Sequence, residues 1–264
     1  MEEDTGASRR IQLSPLIRLA GLLSLLFSTI AVLLLLIGRG MSPQPQIAFQ
    51  SDRTNDWEIY LVDAGSHIDV RLTFSPGIDY SPAWSPDGTR IAYTGIHNGF
   101  FDVYVLDTDM HTVAQVTDDF ATNSKPRWFS NNELTYIVEE DFEAEGIVYL
   151  LDLRTDMRQQ IGMGRSTLLA PIPSPDGNHE VFISHAGPFM DIFVAARDRT
   201  WIQNISAHPG HDNYPTWSND GGWVAFASRR DGNWEIYVVR ADGSDLTRVT
   251  YDAGDDIAPS WRPN

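Results

Sequence analysis

One eight-residue pattern returns along the sequence at a nearly constant interval. Residues 81–88 read SPAWSPDG, and residues 214–221 read YPTWSNDG. A chain built from such a repeat folds as stacked copies of one supersecondary unit, so the interval constrains the architecture before composition does. The repeated tryptophan position recurs at spacings of 44, 45, 44 and 44 residues, at Trp84, Trp128, Pro173, Trp217 and Trp261.

Each interval contains four short β-rich runs separated by turn residues. After Asp-Gly comes a hydrophobic run such as residues 91–93, then an aliphatic–aromatic pair such as Ile236-Tyr237, then an exit that ends in a hydroxyl such as Thr117. Asp-Gly supplies the positive φ that a tight hairpin needs. Four strands in a repeat of this length predict the blades of a β-propeller.

The repeated region, residues 47–264, neither begins nor ends with a complete unit. The body opens at Ile47 with the second strand of a unit and closes, at residues 258–263, with the first strand of one. Joining these ends completes a fifth blade and leaves no open edge. We therefore predict an all-β, five-bladed β-propeller over residues 47–264, with four-stranded blades and a ring closed by the C-terminal strand. Packing between blades is the expected role of the repeated tryptophans, Trp84, Trp128, Trp217 and Trp261.

The repeat unit resembles the WD40-like (PD40) repeat of TolB-like β-propellers. The best copies are residues 79–117 and 212–250, and the resemblance extends over residues 47–264. It implies a propeller fold, and similar propellers occur in TolB, in stand-alone repeat proteins and in the non-catalytic parts of prolyl-oligopeptidase-like and tricorn-like peptidases. TolB-like proteins usually have six blades and an N-terminal α/β domain, whereas this chain has five repeats and lacks the tryptophan of the third, at Pro173.

An uncharged apolar run precedes the repeats. Residues 19–37 would extend about 28 Å as a helix, close to the hydrocarbon thickness of a bilayer. A cleaved signal peptide is the alternative, but such a peptide has a shorter apolar core and a small-x-small cleavage site. Because Arg9, Arg10 and Arg18 precede the run, a cytoplasmic N-terminus is favoured. We predict a cytoplasmic tail at 1–18, a single transmembrane helix at 19–37, a linker at 38–46 and an extracytoplasmic propeller.

The charge of the chain limits its partners. It carries 36 acidic against 19 basic residues, a formal net charge of −17, and no cysteine. Nucleic acid is therefore not an expected partner, whereas cations, basic peptides and neutral ligands are compatible with such a surface. The lack of cysteine excludes disulfides and thiolate metal sites.

One set of polar residues is a candidate binding site. It lies five positions before each repeated tryptophan position, where a loop leads into the innermost strand. Oxygen ligands converging at the channel mouth would suit a divalent cation such as calcium or the basic end of a peptide. A turn-capping role for the same side chains is the alternative. The positions are Asp79, Asn123, Leu168, Asp212 and Asp256, of which Leu168 interrupts the ring.

No catalytic constellation is recognised. A Gly-x-Ser-x-Gly turn is absent from the sequence, and none of the seven histidines forms a helical metal pair. We therefore predict a membrane-anchored module that binds or scaffolds a protein, peptide or glycan, without a cofactor unless a cation occupies the channel mouth. Two alternatives remain open: a glycan-cleaving propeller that uses channel carboxylates, and an accessory propeller of a separately encoded peptidase.

Overall fold

The computed structural model describes residues 45–97, 99–119, 121–139, 146–164 and 171–263. Within these ranges the chain forms twenty strands in five antiparallel sheets of four strands each. The predicted cytoplasmic tail and transmembrane helix, and the linker up to residue 44, lie outside the described residues. In the ranges that are described, no helix has the length and apolar character needed to cross a membrane.

Each sheet is one blade of a five-bladed propeller, which confirms the predicted fold of the body. Strands of a blade are named from the centre outward, and the first strands of the fifth, first, second and third blades contact one another in that order around the ring axis. The first blade consists of β20 (Asp256–Trp261), β1 (Gln46–Ser51), β2 (Glu58–Asp63) and β3 (Asp69–Arg71), and the second of β4 (Asp79–Trp84), β5 (Arg90–His97), β6 (Phe100–Asp107) and β7 (Thr112–Gln115). The third consists of β8 (Thr122–Ser130), β9 (Glu133–Glu139), β10 (Gly146–Asp152) and β11 (Met157–Gly164), and the fourth of β12 (Ile172–Pro173), β13 (His179–Ala186), β14 (Phe189–Ala196) and β15 (Ile202–Asn204). The fifth consists of β16 (Asp212–Trp217), β17 (Trp223–Ser228), β18 (Glu235–Arg240) and β19 (Thr247–Arg248).

The ring is closed by the C-terminal strand, as predicted. β20 pairs antiparallel with β1, with Ile47 opposite Trp261 and Ser51 opposite Asp256. The first blade is thus assembled from strands at both ends of the body.

Because the strands of each blade are antiparallel, successive links between strands lie alternately at one end of the ring and at the other. The end that carries the links between second and third strands and the links between blades, including residues 52–57, 229–234 and 251–255, is called the loop face below.

The repeated Asp-Gly turn joins the two inner strands of a blade. In the second blade, Ser85 Oγ donates to Asp87 Oδ1 at 2.6 Å, and Gly88 N–H donates to the Ser85 carbonyl at 2.9 Å. Gly88 has a φ of 67°, a conformation that glycine adopts without steric cost. The sequence pattern Ser-x-Asp-Gly therefore reflects the requirements of this turn, as predicted.

A β-bulge interrupts four innermost strands at a residue that precedes proline. Between Tyr80 and Ala83 the register shifts, so that two residues of β4 lie opposite one residue of β5. This bulge places Asp79 and Trp84 on the same side of the strand, although an offset of five residues would separate them in a regular strand. The bulged residues have a left-handed φ of 53° to 56°: Ser81, Lys125, Tyr214 and Ala258.

The repeated tryptophans connect neighbouring blades, each reaching back to the blade before it. The indole N–H of Trp128 donates to the Ala83 carbonyl at 3.0 Å, that of Trp217 to the Ile172 carbonyl at 3.0 Å, and that of Trp261 to the Thr216 carbonyl at 3.2 Å. Trp84 is equally buried, but its indole N–H has no hydrogen-bond partner. Three of the five seams between blades therefore combine apolar packing with one directed hydrogen bond, whereas the seams at Trp84 and Pro173 lack it.

This difference provides an internal control for the value of the indole hydrogen bond. Trp217→Phe removes the donor and leaves a carbonyl without its partner, whereas Trp84→Phe removes a donor that is already unsatisfied. Both substitutions lose similar ring volume. We expect Trp217→Phe to lower the free energy of unfolding by about 1 kcal/mol more than Trp84→Phe, measured by urea denaturation. Equal losses in the two variants would contradict this assignment.

Candidate functional site

The four predicted polar side chains lie at the loop-face end of the innermost strands and are fully buried. Each is on the same side of its strand as the repeated tryptophan, because of the bulge, and so faces the preceding blade. The four are Asp79, Asn123, Asp212 and Asp256. Leu168 lies outside the described residues. These four side chains are therefore covered by protein, and their predicted role in ligand binding at the channel mouth stays a prediction.

Each of these side chains contacts polar groups of the preceding blade or of the link that follows it. Asn123 Nδ2 donates to Asp119 Oδ1 at 2.6 Å and to Asp102 Oδ1 at 3.3 Å. Ser75 Oγ donates to Asp79 Oδ2 at 2.9 Å. Ser206 and Thr250, in the corresponding links, act to lower the pKa of Asp212 and of Asp256. These contacts join consecutive blades. The alternative turn-capping interpretation anticipated contacts within the loop alone.

A second repeated acid completes this network, and sequence reasoning missed it. Thr250 Oγ1 donates to Glu235 Oε2 at 2.7 Å and also accepts the backbone N–H of Ile236 at 2.9 Å. The exit hydroxyl recognised in the sequence thus holds the start of the third strand. The acid could have been found from its position directly before each aliphatic–aromatic pair. Its copies are Glu58, Asp102, Asp191 and Glu235.

In the first blade a buried arginine neutralises the channel-end carboxylate. Arg53 Nη2 lies 2.8 Å from Asp256 Oδ2, and its Nη1 lies 2.6 Å from Asp69 Oδ2. The guanidinium also lies over the ring of Tyr60, 4.5 Å from its centroid. Burial raises the pKa of Asp256 to about 6, while Arg53 acts in the opposite direction.

The fifth blade repeats this arrangement with a looser ion pair. Arg230 Nη2 lies 3.4 Å from Asp212 Oδ2, and its guanidinium lies 4.6 Å from the centroid of Tyr237. Burial raises the pKa of Asp212. Ser206, Ser228 and the charge of Arg230 act to lower it, but burial has the larger effect. A Ser-x-Arg sequence, residues 51–53 and 228–230, is the signal for this device in both blades.

The seam between the first and second blades instead brings two carboxylates together. Burial raises the pKa of Glu58 to about 7. The hydrogen bond from Thr73 and the charge of Arg71 lower this pKa, whereas the charge of the nearby Asp79 raises it further. Arg71 nevertheless donates to Glu58. The dominant effect is desolvation, because a fully buried carboxylate loses its hydration.

Glu58 is expected to make stability depend on pH. Its folded pKa of about 7 exceeds the ordinary value of 4.5, so the folded chain retains a proton that the unfolded chain releases. The resulting stabilisation is complete below pH 4.5 and is lost as the pH rises through about 7. We therefore expect Glu58→Gln to be less destabilising, relative to wild type, at pH 8 than at pH 5 in urea denaturation.

Asp176 provides the control for this pH experiment. Hydrogen bonds from Ser174 and Asn178 lower its pKa to about 2, so it is ionised in the folded and the unfolded chain between pH 5 and 8. Asp176→Asn should therefore have the same effect at both pH values. If Glu58→Gln shows no more pH dependence than Asp176→Asn, the assignment of a raised Glu58 pKa is wrong.

Half-exposed aromatic side chains lie beside the buried network at the loop face. Tyr80, one residue after Asp79, forms an edge-to-face contact with Phe101 at 6.0 Å between ring centroids. Tyr214, Trp234 and Ile257 are partly buried and pack on the cluster between the fifth and first blades. The loop face therefore offers apolar contact area next to its buried polar ring.

Metal ligands do not converge in the described part of the chain. No group of three or more histidine, aspartate or glutamate residues there has a geometry that could hold a metal ion. His211, one of two loop histidines noted in the sequence, accepts a hydrogen bond from the backbone N–H of Met190 at 3.3 Å. The calcium hypothesis for the polar ring is not tested by these observations and stays a prediction.

Comparison with known protein families agrees with the repeat. The family model described as the TolB β-propeller domain matches residues 40–147 and 126–264. This chain belongs to the TolB β-propeller family. The repeat resemblance is thereby confirmed over the whole propeller, since the two matches together cover every described strand.

Several known proteins are similar to parts of the chain. A TolB homologue from Chlorobium luteolum is 30% identical over 162 residues, which are 61% of this chain and 36% of that protein. An uncharacterized protein of Agrobacterium fabrum, Atu1656, is 26% identical and matches 71% of this chain and 68% of its own length. Hydrazine synthase of Kuenenia stuttgartiensis shares the fold, with a TM-score of 0.51 at 12% identity over 84% of this chain and 47% of that one. The chain spans about a third of the length of the TolB homologues that it matches.

Proposed function

We propose that the chain is a membrane-anchored, extracytoplasmic binding module whose propeller recruits a protein or peptide through the loop face. The observation that carries this proposal is that polar and aromatic side chains differ in their exposure at that face. The repeated acids and hydroxyls are buried in contacts between blades, whereas aromatic side chains such as Tyr80, Phe101 and Trp234 remain half-exposed. Aromatic residues on a rigid scaffold supply large contact area at a low entropic cost, as in protein interfaces.

The membrane anchor and the compartment belong to the same proposal. The apolar run at 19–37, preceded by three arginines, supports a single-pass anchor with a cytoplasmic N-terminus. The excess of acidic residues supports protein or peptide partners over nucleic acid. Alkaline carbonate extraction should leave the full chain in the membrane fraction, and protease added outside the membrane should cleave the propeller.

A non-enzymatic role is favoured over the glycan-cleaving alternative. Glycosidases require two carboxyl groups that share an open, sugar-sized groove. Asp79, Asp212 and Asp256 face three different seams between blades, and each is closed to solvent. The family fold also occurs in enzymes, so the accessory-propeller alternative, in which the partner is a peptidase, remains a special case of the binding role.

A divalent cation such as calcium at the polar ring remains part of the proposal as an optional ligand. Calcium would have to replace Arg53 as the counterion of Asp256 and Arg230 as that of Asp212. Calorimetric titration of the full chain with calcium, compared with a variant in which Asp79, Asp212 and Asp256 are replaced by Ala, tests this ligand. Equal affinities would eliminate it.

The binding role is tested by affinity capture with the full chain extracted from membranes. We expect a partner that is retained by the wild type and lost when Phe101 and Trp234 are replaced by Ala. The matched control is Trp201→Ala, because Trp201 is a partly exposed tryptophan at the opposite end of the ring, between β14 and β15. Loss of the partner in the control, or its retention in the Phe101/Trp234 variant, would contradict binding through the loop face.

A further inference from the structure

Arg127 has no partner for its charge among the described residues. It belongs to β8, the innermost strand of the third blade, and its side chain is exposed to solvent. Within the described ranges its guanidinium makes no hydrogen bond, ion pair or aromatic contact. Every other arginine in the described ranges has at least one such contact: Arg53, Arg71, Arg90, Arg154, Arg158, Arg197, Arg199, Arg229, Arg230, Arg240, Arg248 and Arg262.

The position of Arg127 in the repeat places it at the seam between the third and fourth blades. It directly precedes Trp128, whose indole contacts the second blade, so alternation directs Arg127 toward the fourth blade. The equivalent Ser260 of the first blade shows this direction, since its hydroxyl accepts the backbone N–H of Trp84 in the second blade at 3.2 Å. Other blades have uncharged residues here: Ala83, Ile172, Thr216 and Ser260.

The fourth blade presents a smaller side chain at this seam. Its innermost strand, β12, carries Pro173 where three other blades carry a buried tryptophan. The smaller proline ring cannot fill the volume of an indole or donate a hydrogen bond to the third blade. Pro173 is itself exposed, and so is Phe129 at 70% of its surface. Exposed side chains therefore occupy this seam at the position of the missing tryptophan.

Arg127 is accessible to water and yet surrounded by protein. Desolvation lowers the pKa of its guanidinium, which is the effect of the blade walls on either side. None of the described carboxylates pairs with the guanidinium, although the chain has 36 acidic residues. Its hydrogen-bond donors are therefore available to an anion from outside the chain.

We propose that Arg127 is the centre of an anion-binding site at the inner edge of the seam between the third and fourth blades. The guanidinium presents a planar fork of donors that matches a carboxylate or a phosphate group in a bidentate manner. The ligand is thus a small anion, or a larger molecule that inserts a carboxylate or phosphate. This site does not depend on partner binding at the loop face, and either proposal can fail alone.

The test uses the full chain in detergent micelles, titrated with inorganic phosphate or acetate at constant ionic strength. Arginine Nε–H resonances are followed by NMR, and the resonance of Arg127 is identified as the one missing from Arg127→Gln. We expect that resonance to shift saturably with at least one of the two anions. The anion with the smaller dissociation constant identifies the preferred group.

Three variants separate the site from general salt effects, with the backbone amide of residue 127 as the common probe. Arg127→Gln should raise the dissociation constant at least tenfold, because a charge-assisted bidentate contact is lost. Arg127→Lys should bind more weakly than the wild type, because it retains the charge but not the fork. Arg154→Gln is the matched control, since Arg154 is an exposed arginine of the same blade paired with Asp152 at 3.2 Å, and should bind like the wild type.

The outcomes divide clearly. Saturable binding by the wild type that is lost in Arg127→Gln and kept in Arg154→Gln supports the site. No saturable shift with either anion, or equal affinity in Arg127→Gln and the wild type, would overturn it. Because Arg127 has no internal partner, its replacement should not unfold the chain, and an unchanged melting temperature checks that the variants are folded.

Discussion

Deletion of residues 258–264 is expected to abolish the cooperative unfolding of the propeller. The deletion removes most of β20, including the buried Trp261, and leaves β1 as an open edge of the first blade. Loss of one large buried aromatic side chain alone costs about 3–5 kcal/mol, a large part of the 5–15 kcal/mol by which a typical domain is stable. The hydrogen bond from Trp261 to the fifth blade is lost as well.

Thermal melting followed by near-ultraviolet circular dichroism, together with small-angle scattering, measures this effect. The control deletes only residues 263–264, which keeps β20 and the contacts of Arg262 with Gly88 and Gln46. We expect the control to melt as the wild type does. A longer deletion that preserves both the melting temperature and the compact dimensions would refute ring closure by β20.

Arg53→Met should be the most damaging single substitution in the buried polar network. It removes the counterion of Asp256, which is fully buried, together with the partner of Asp69. Breaking a buried ion pair from one side typically costs about 3–5 kcal/mol, because the remaining charge stays desolvated. Methionine keeps the packing over Tyr60, so the loss measured by chemical denaturation reports mainly on the charge.

Neutralising the remaining carboxylate provides the control. Asp256→Asn in the Arg53→Met background should recover at least about 1 kcal/mol, since an amide is less costly to bury than an unpaired carboxylate. Arg230→Met should cost less than Arg53→Met, because its ion pair with Asp212 is longer, 3.4 Å against 2.8 Å. A loss below 1 kcal/mol for Arg53→Met, or no recovery in the double variant, would show that the pair contributes little.

The sequence was sufficient to predict the ring because period and phase are properties of the whole chain. Spacing of the tryptophan positions gave the blade length, and the mismatch between residues 47 and 258–263 gave the closing strand. Both follow from how many strands a blade needs, and neither depends on the orientation of any one side chain. The predicted packing role of the tryptophans follows from the same regularity.

The surroundings of the polar ring were not predictable in the same way. A left-handed residue directly before proline is sterically disfavoured, so nothing in the residues Ser81-Pro82 announces a bulge. Without the bulge, Asp79 would face away from Trp84, toward the position that Tyr80 occupies. One inserted residue therefore exchanges a carboxylate for an aromatic ring at the exposed position.

Arg127 shows a different limit of sequence reasoning. Its position varies among alanine, isoleucine, threonine and serine in the other blades, so the repeat gives no reason to single it out. Its significance comes from the neighbouring blade, where Pro173 replaces a tryptophan. The departure at Pro173 was visible in the sequence, but the residue exposed by it lies 46 positions earlier in the chain.

The pairing of β1 with β20 also has a consequence during protein synthesis. The two strands are separated by more than 200 residues, so the first blade stays three-stranded until the ribosome has made the other four. At about 5–20 residues per second, the nascent chain would expose the inner edge of β1 for ten seconds or more. That edge, with Ile47 and Phe49 uncovered, would benefit from a chaperone until translation reaches residue 261.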